Sequence, residues 1–367
     1  MGIDIKTAPR FFSGKNCVLE NSNVFRSFGK KCLIVTSKNG AKMSGALGDV
    51  EYVLKKQSIE YRIFNEICEN PLVSSCIKGG KIARDFSADF IIGIGGGSPL
   101  DASKAVAICA ANPEYDMNGL YNRVIPSKAL PLVLIGTTSG TGSEITGVSV
   151  LTKDDDLTKK SISGTDCYAT VSFLDPKYTY SMSYNTTVTT ALDAFAHAVE
   201  GFFSPKCDVY ADIFSKRALP LIYNGLKYLN REKDVPDDEI RDNLYYGSIY
   251  AGFQLNICGA AFPHTVGYIL TEIFGVPHGK ACTAFMPYLF KKAKANIPER
   301  FNELLCVLND TEENVLKTVT ELTDVKVDAS SEQIENWCSR WGEVKNFNNT
   351  PGGFTNEEAA EAFKELL

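Results

Sequence analysis

The chain has no run of about 18 apolar residues, the length a membrane-spanning helix requires. Its start, Met1-Gly2-Ile3-Asp4-Ile5-Lys6, has no basic stretch followed by an apolar core, so a secretory leader is not expected. The Gly2 start also lacks the downstream Ser or Thr of a lipidation signal. A surplus of positive charge is missing too: the formal net charge is −6, which disfavours a nucleic-acid groove. Repeats and low-complexity segments are not evident. The eleven cysteines include no C-x-x-C pair and are odd in number. Several, such as Cys32 and Cys109, sit inside apolar runs, so they read as the reduced interior of a cytoplasmic protein and not as a disulfide framework or a zinc-thiolate site. Histidine is scarcest of all, at three residues.

What is present suits an ordered, soluble protein. Apolar residues make up 44% and charged residues 22% of 367, enough for about two domains. In the first half, short apolar runs alternate with helical segments. Lys31–Thr36, Asp89–Ile94, Leu130–Ile135 and Ala169–Leu174 fit buried strands of a parallel sheet. Gly45–Gln57 and Pro99–Ala111 are helical, giving the βαβ rhythm of a doubly wound α/β domain. From Thr186 onward the pattern is helical: Thr187–Phe203, Val209–Leu229, Asp237–Asn256 and Thr355–Leu367. The boundary falls near residue 181, between an α/β domain over 1–181 and a helical one over 182–367. Lys153–Asp156 and Arg231–Asp234 read as solvated turns.

Two loops carry a phosphate signal. Gly93-Ile94-Gly95-Gly96-Gly97-Ser98-Pro99-Leu100-Asp101 follows a strand and opens a helix. Glycines let backbone approach an anion, and helix-start N–H groups can bind a pyrophosphate. Ser98 is the expected N-cap, Pro99 the first helical residue and Asp101 the partner in a capping box. The loop is not a standard G-x-G-x-x-G, and a ligand-free turn is the competing reading. Gly136-Thr137-Thr138-Ser139-Gly140-Thr141-Gly142-Ser143-Glu144 also follows a strand, and two such loops would converge at one sheet edge, where open α/β folds bind ligands.

Asp193 and His197 are four apart and share a helix face, so both can reach one cation. Asp193 and Glu200 sit among apolar neighbours, and buried acids need a partner. His264 and His278 have no helix-face partner of their own, so a shared metal gives them a purpose. Three imidazoles and a carboxylate suit Fe2+ or Zn2+, although each histidine taken singly reads as an ordinary polar residue.

Together these residues resemble the iron-containing (group III) alcohol dehydrogenases along nearly the whole chain. The matching motifs are Gly95-Gly96-Gly97-Ser98 with Asp101 and Lys104; Thr137 to Glu144; Asp193-Ala194 with His197-Ala198 and Glu200; and Pro277-His278-Gly279. The resemblance implies a dinucleotide-binding first domain and a helical metal-binding second domain, with the active site in the cleft between them. It implies metal ligands at Asp193, His197, His264 and His278, and nucleotide contacts from Gly95, Gly96, Gly97, Ser98, Asp101, Thr137, Thr138, Thr141 and Ser143. Lys160 looks like the family's lysine near the nicotinamide ribose, a place that the adjacent Lys159 could equally fill. The implied reaction moves a hydride between a small alcohol or aldehyde and NADP or NAD, in a homo-oligomer.

Two positions depart from the family. Tyr268 stands where many members carry a further histidine, which puts that proton relay in doubt. Ser37 and Lys38 follow the first strand where NAD-preferring members often have an acid; they can accept a 2′-phosphate, which favours NADP. Phe253, Phe262 and Tyr268 are either pocket lining or core. Polyol oxidation of the glycerol-dehydrogenase kind, a dehydroquinate-synthase-type lyase and an idle nucleotide-binding descendant are the alternatives.

Overall fold

The computed structural model describes residues 9–341 and 344–366, so the Met1–Lys6 start lies outside the described residues. The chain divides into two compact units, Met1–Met182 and Ser183–Leu367.

The first unit is built on a six-stranded sheet in which every pairing is parallel. Its strands are β1 (Arg10–Ser13), β2 (Lys31–Thr36), β3 (Glu60–Phe64), β4 (Phe90–Gly95), β5 (Leu132–Gly136) and β8 (Val171–Leu174), in the order β1-β8-β5-β4-β2-β3. A separate antiparallel hairpin pairs β6 (Val148–Thr152) with β7 (Lys159–Ser163). The central strands are apolar on both sides because both faces are covered. Leu33, Val35, Ile91 and Leu134 join a core with the Val73–Asp85 and Gly97–Ala111 helices, while Cys32, Ile34, Ile92 and Val133 join another with the Ala46–Lys56 helix. The alternation follows from the two-residue period of a strand. The chain leaves β2 for the edge strand β3 and returns to β4 on β2's other side, so the direction of winding reverses between β2 and β4. Ligands bind outside the carboxyl ends of strands at such a reversal.

The second unit is helical: Tyr184–Phe203, Val209–Glu232, Asp238–Cys258 and Phe262–Phe274 are its longest early helices, and a short helix, His278–Thr283, follows. Ser183, Asp208 and Asp237 cap the first three through side-chain oxygens that accept first-turn N–H groups. From Ala191 on, the Tyr184–Phe203 helix is buried on every side, and it runs through the core that holds the unit together. Among the described residues no helix is long and apolar enough to cross a membrane.

Candidate functional site

In the first unit the two glycine-rich loops lie side by side. Their strands pair Gly95 with Gly136, and the Thr137 amide donates to the Gly95 carbonyl at 2.9 Å. A Cβ on Gly96 would lie 3.0 Å from Thr138, and one on Gly97 2.6 Å from the Thr141 methyl, so the second loop occupies the space that side chains on the first would need. The helix starts at Gly97 with Gly96 as N-cap and no side-chain cap. This corrects the capping box: Ser98 lies inside the first turn and accepts the Asn70 amide at 3.3 Å, leaving the helix-start N–H groups without a side-chain cap. That is the anion-binding arrangement. Ser37 and the exposed Lys38 directly follow β2, on the other side of the winding reversal.

Asp101 has a different task from capping. Its carboxylate accepts from the Ser143 hydroxyl at 2.5 Å, the Lys104 ammonium at 3.3 Å and the Val150 amide at 2.8 Å. Lys104 is fully buried and also donates to Ser143, Thr146 and the Val148 carbonyl. Ser98, Asp101 and Ser143 therefore brace the loops from within, whereas Gly96, Gly97, Thr138 and Thr141 form their facing surfaces. Lys160 stands on β7 with its ammonium 4.6 Å from the centre of the Tyr121 ring.

In the second unit three helices bring the acid and the histidines together. Asp193 Oδ1 lies 3.5 Å from His264 Nε2 and 3.7 Å from His278 Nε2. The close packing depends on Gly279, where a Cβ would lie 1.9 Å from the Thr189 carbonyl oxygen and 2.8 Å from the Asp193 amide nitrogen. Only a residue without a side chain lets the His278 turn press onto the Asp193 helix. The His197 ring stacks on His264 with centroids 4.3 Å apart. Tyr268, one turn after His264, stacks on His278 at 5.6 Å. Asp193, His197 and His264 are buried, while the His278 side chain is 28% exposed and forms the open side of the cluster. Phe262 is core, stacked on Phe354 at 3.9 Å, Phe253 packs on Phe214, and Tyr268 meets the cluster at His278.

Glu200 finds the partner that its burial required. One carboxylate oxygen lies 2.6 Å from His264 Nδ1, and the other accepts the Ala261 amide at 2.6 Å. A carboxylate on Nδ1 keeps a proton there and turns Nε2 toward Asp193, the orienting device of metal-bound histidines. Asp193 Oδ1 and His264 Nε2 are nevertheless buried without a hydrogen-bond partner, their 3.5 Å separation being long for a good bond. Burial pushes the Asp193 carboxyl up, but His197, His264 and His278 outweigh it and hold it below the usual carboxylate range. Burial likewise disfavours a charged His264, yet Cys282, Glu200 and Asp193 outweigh that and raise it well above the ordinary value. The raised His264 marks a pocket that favours a positive charge there, the lowered Asp193 one that keeps its carboxylate charged, and an N/O donor set of this kind fits a divalent cation.

One member of the cluster was not foreseen. Cys282 Sγ lies 3.7 Å and 3.8 Å from the two ring nitrogens of His278. Ligand atoms of Asp193, His264, His278 and Cys282 all fall within 4.8 Å of one another. His278 thus does have a helix-face partner, four residues on, and that spacing was the available signal.

Comparison with known proteins agrees with this geometry. Residues 8–176 match the model for iron-containing alcohol dehydrogenase, and residues 187–364 match that for the C-terminal part of the Fe-containing alcohol dehydrogenase family. The chain belongs to the iron-containing alcohol dehydrogenase family. It is 31% identical to the sulfoacetaldehyde reductase of Bilophila wadsworthia over 77% of this chain and 72% of that one. It is 30% identical to alcohol dehydrogenase 4 of Schizosaccharomyces pombe over 74% of this chain, a stretch spanning 64% of that protein. An iron-containing alcohol dehydrogenase from Thermotoga maritima superposes with a TM-score of 0.91 at 34% identity, covering 99% of both chains. The sulfoacetaldehyde reductase of Bifidobacterium kashiwanohense, solved with NAD+, gives 0.86 at 26% identity over 100% of this chain and 99% of that one. Membership in the iron-containing alcohol dehydrogenase family makes the chain a metal-dependent NAD(P) oxidoreductase acting on alcohols.

Proposed function

We propose that the chain interconverts a short aliphatic alcohol and its aldehyde, with NADP preferred over NAD, around a divalent metal, Fe2+ or Zn2+, held by Asp193, His197, His264 and His278. The observation that carries the metal assignment is the pair of buried, unpartnered atoms, Asp193 Oδ1 and His264 Nε2, facing each other beside His278. Polar atoms this deeply buried are costly without a partner. A bound divalent cation supplies Lewis acidity toward the substrate oxygen, and a nicotinamide ring gives or takes the hydride.

The first unit serves the nucleotide and the second the metal. Gly95, Gly96, Gly97, Thr137, Thr138 and Thr141 hold the pyrophosphate, with Ser98, Asp101 and Ser143 keeping their loops in shape. Lys160 serves the nicotinamide ribose. Ser37 and Lys38 receive the 2′-phosphate, because neither repels an anion and Lys38 is exposed. Glu200 fixes the tautomer and orientation of His264. Tyr268 lies flat against His278, the open side of the cluster, where its hydroxyl holds or passes the alcohol proton. Family membership favours hydride transfer over the lyase and idle readings, and four candidate ligands favour a simple alcohol over polyol oxidation. A cytoplasmic location is supported by eleven free cysteines. A homo-oligomer is supported by Val209, Tyr210 and Ile213, exposed together on one helix.

The test is oxidation of NADPH and NADH with a panel of short aldehydes, using protein reconstituted anaerobically with Fe2+ or Zn2+. Metal-dependent turnover favouring NADPH is expected. Ser37→Asp should lower the NADPH-over-NADH ratio by roughly tenfold or more, about 1.4 kcal/mol of like-charge repulsion. An unchanged ratio would remove the basis for the NADP preference.

A further inference from the structure

Cys282 differs in surroundings from the buried cysteines of the first unit. Cys76 and Cys109 are packed into an apolar core, and the Cys167 sulfur accepts from Arg123. Cys282 also belongs to an apolar core, yet its sulfur lies within 4.8 Å of ligand atoms from a carboxylate and two imidazoles. We propose that the Cys282 thiolate is itself a metal ligand, making this a sulfur-containing centre that prefers Zn2+ or Co2+ to Fe2+. The inference rests on the reading of Asp193, His264 and His278 as ligands, and adds a donor to that set.

The geometry supports a ligand in three ways. His278 and Cys282 are four apart on one short helix, which turns the thiol and the ring toward the same point. That helix is fixed against the Asp193 helix by the close approach at Gly279, so the thiol cannot withdraw without breaking the contact that places His278. Asp193 Oδ1 and His264 Nε2, already unpartnered and buried, converge on the same point as the sulfur. A cation there meets oxygen, nitrogen and sulfur donors together. On binding, a metal–sulfur bond forms, the thiol proton passes to solvent, and nothing is oxidised or reduced. Thiolate is a soft ligand, and mixed imidazole–thiolate sites suit Zn2+ better than the harder Fe2+.

The test is an anaerobic Co2+ titration of the full metal-free chain, followed by absorption spectroscopy. The chain carries Cys68→Ser and Cys306→Ser, because these two exposed thiols could bind cobalt adventitiously. One equivalent should produce visible ligand-field bands together with a near-ultraviolet thiolate-to-cobalt charge-transfer band. Cys282→Ser should keep the visible bands, lose the charge-transfer band and weaken Zn2+ binding by roughly tenfold or more, with a smaller loss for Fe2+. Should that variant fail to fold, Cys282→Ala and the spectrum of the parent chain decide the matter. Visible bands without charge transfer would overturn the sulfur ligand and leave the metal reading intact. A charge-transfer band that survives in Cys282→Ser would assign it to another cysteine and overturn the proposal. Absence of both bands would overturn the Asp193 centre and the proposal with it.

Discussion

Each unit buries a cluster of polar and charged side chains, and the two clusters are finished to different degrees. In the first, the Lys104 ammonium reaches Asp101, Ser143, Thr146 and the Val148 carbonyl, and the Asp101 carboxylate also receives the Val150 amide. Every charge there is answered by the chain itself. In the second, Glu200 is answered by His264 and Ala261, but Asp193 Oδ1 and His264 Nε2 are left over. A closed network acts as scaffold, holding the loops above it. An open one leaves two buried polar atoms for a partner from outside the chain to complete.

The contrast can be broken most severely at the closed network. Lys104→Met leaves Asp101 without its cation and should cost about 3–5 kcal/mol of stability, read from the denaturant midpoint of the metal-free protein, with metal affinity unaffected. An unshifted midpoint would mean that the network is not scaffold. At the open cluster the metal carries the larger effect. Asp193→Asn should cost the metal-free protein some stability, since His197, His264 and His278 favour the Asp193 carboxylate in the folded chain. It should abolish the stabilisation that metal confers, about 4 kcal/mol at a thousandfold excess over Kd. Thermal unfolding with and without Zn2+ reads both halves. Glu200→Gln keeps the shape but weakens the orientation of His264, and metal affinity should fall roughly 10- to 100-fold, measured by chelator competition.

The smallest effect near neutrality concerns the buried pair Arg123–Asp166 of the first unit, 2.8 Å apart. Burial works against the Asp166 carboxylate, but Arg123 and Ser127 outweigh it and hold its pKa below the ordinary value. A depressed carboxyl contributes stability in full above the unfolded value of about 3.9, and loses it as pH falls through the folded value. The stability gap between the parent and Asp166→Asn should therefore be flat from pH 5 to 8 and close only in stronger acid. A gap that changed across neutrality would place another titrating group in the pair.

The sequence was most legible where burial is two-sided. β2, β4, β5 and β8 appear as apolar runs because both faces of the sheet are covered. The edge strands β1 and β3 were not seen, since Arg10–Ser13 and Glu60–Phe64 are largely exposed and carry no such run. The β6–β7 hairpin was hidden for a related reason, its second strand, Lys159–Ser163, being polar and mostly outward. Asp193 and His197 were legible as a helix-face pair within an apolar helix. Ser98 and Asp101 were recognised as residues of interest but given the wrong task, because a capping-box spacing cannot reveal that a serine and an amide from later in the chain will claim Asp101 first. Cys282 was missed because a buried thiol beside histidines and a buried thiol in an apolar core leave the same trace in sequence. Only the fold places it against His278.

The central claim is that the second unit's cluster is completed by a divalent cation. Calorimetric titration of the metal-free chain with Zn2+ under anaerobic conditions, alongside Asp193→Asn, addresses it most directly. The account predicts one tight site per chain in the parent and none of comparable affinity in the variant. Equal binding by both proteins, or no binding by a folded parent, would contradict it.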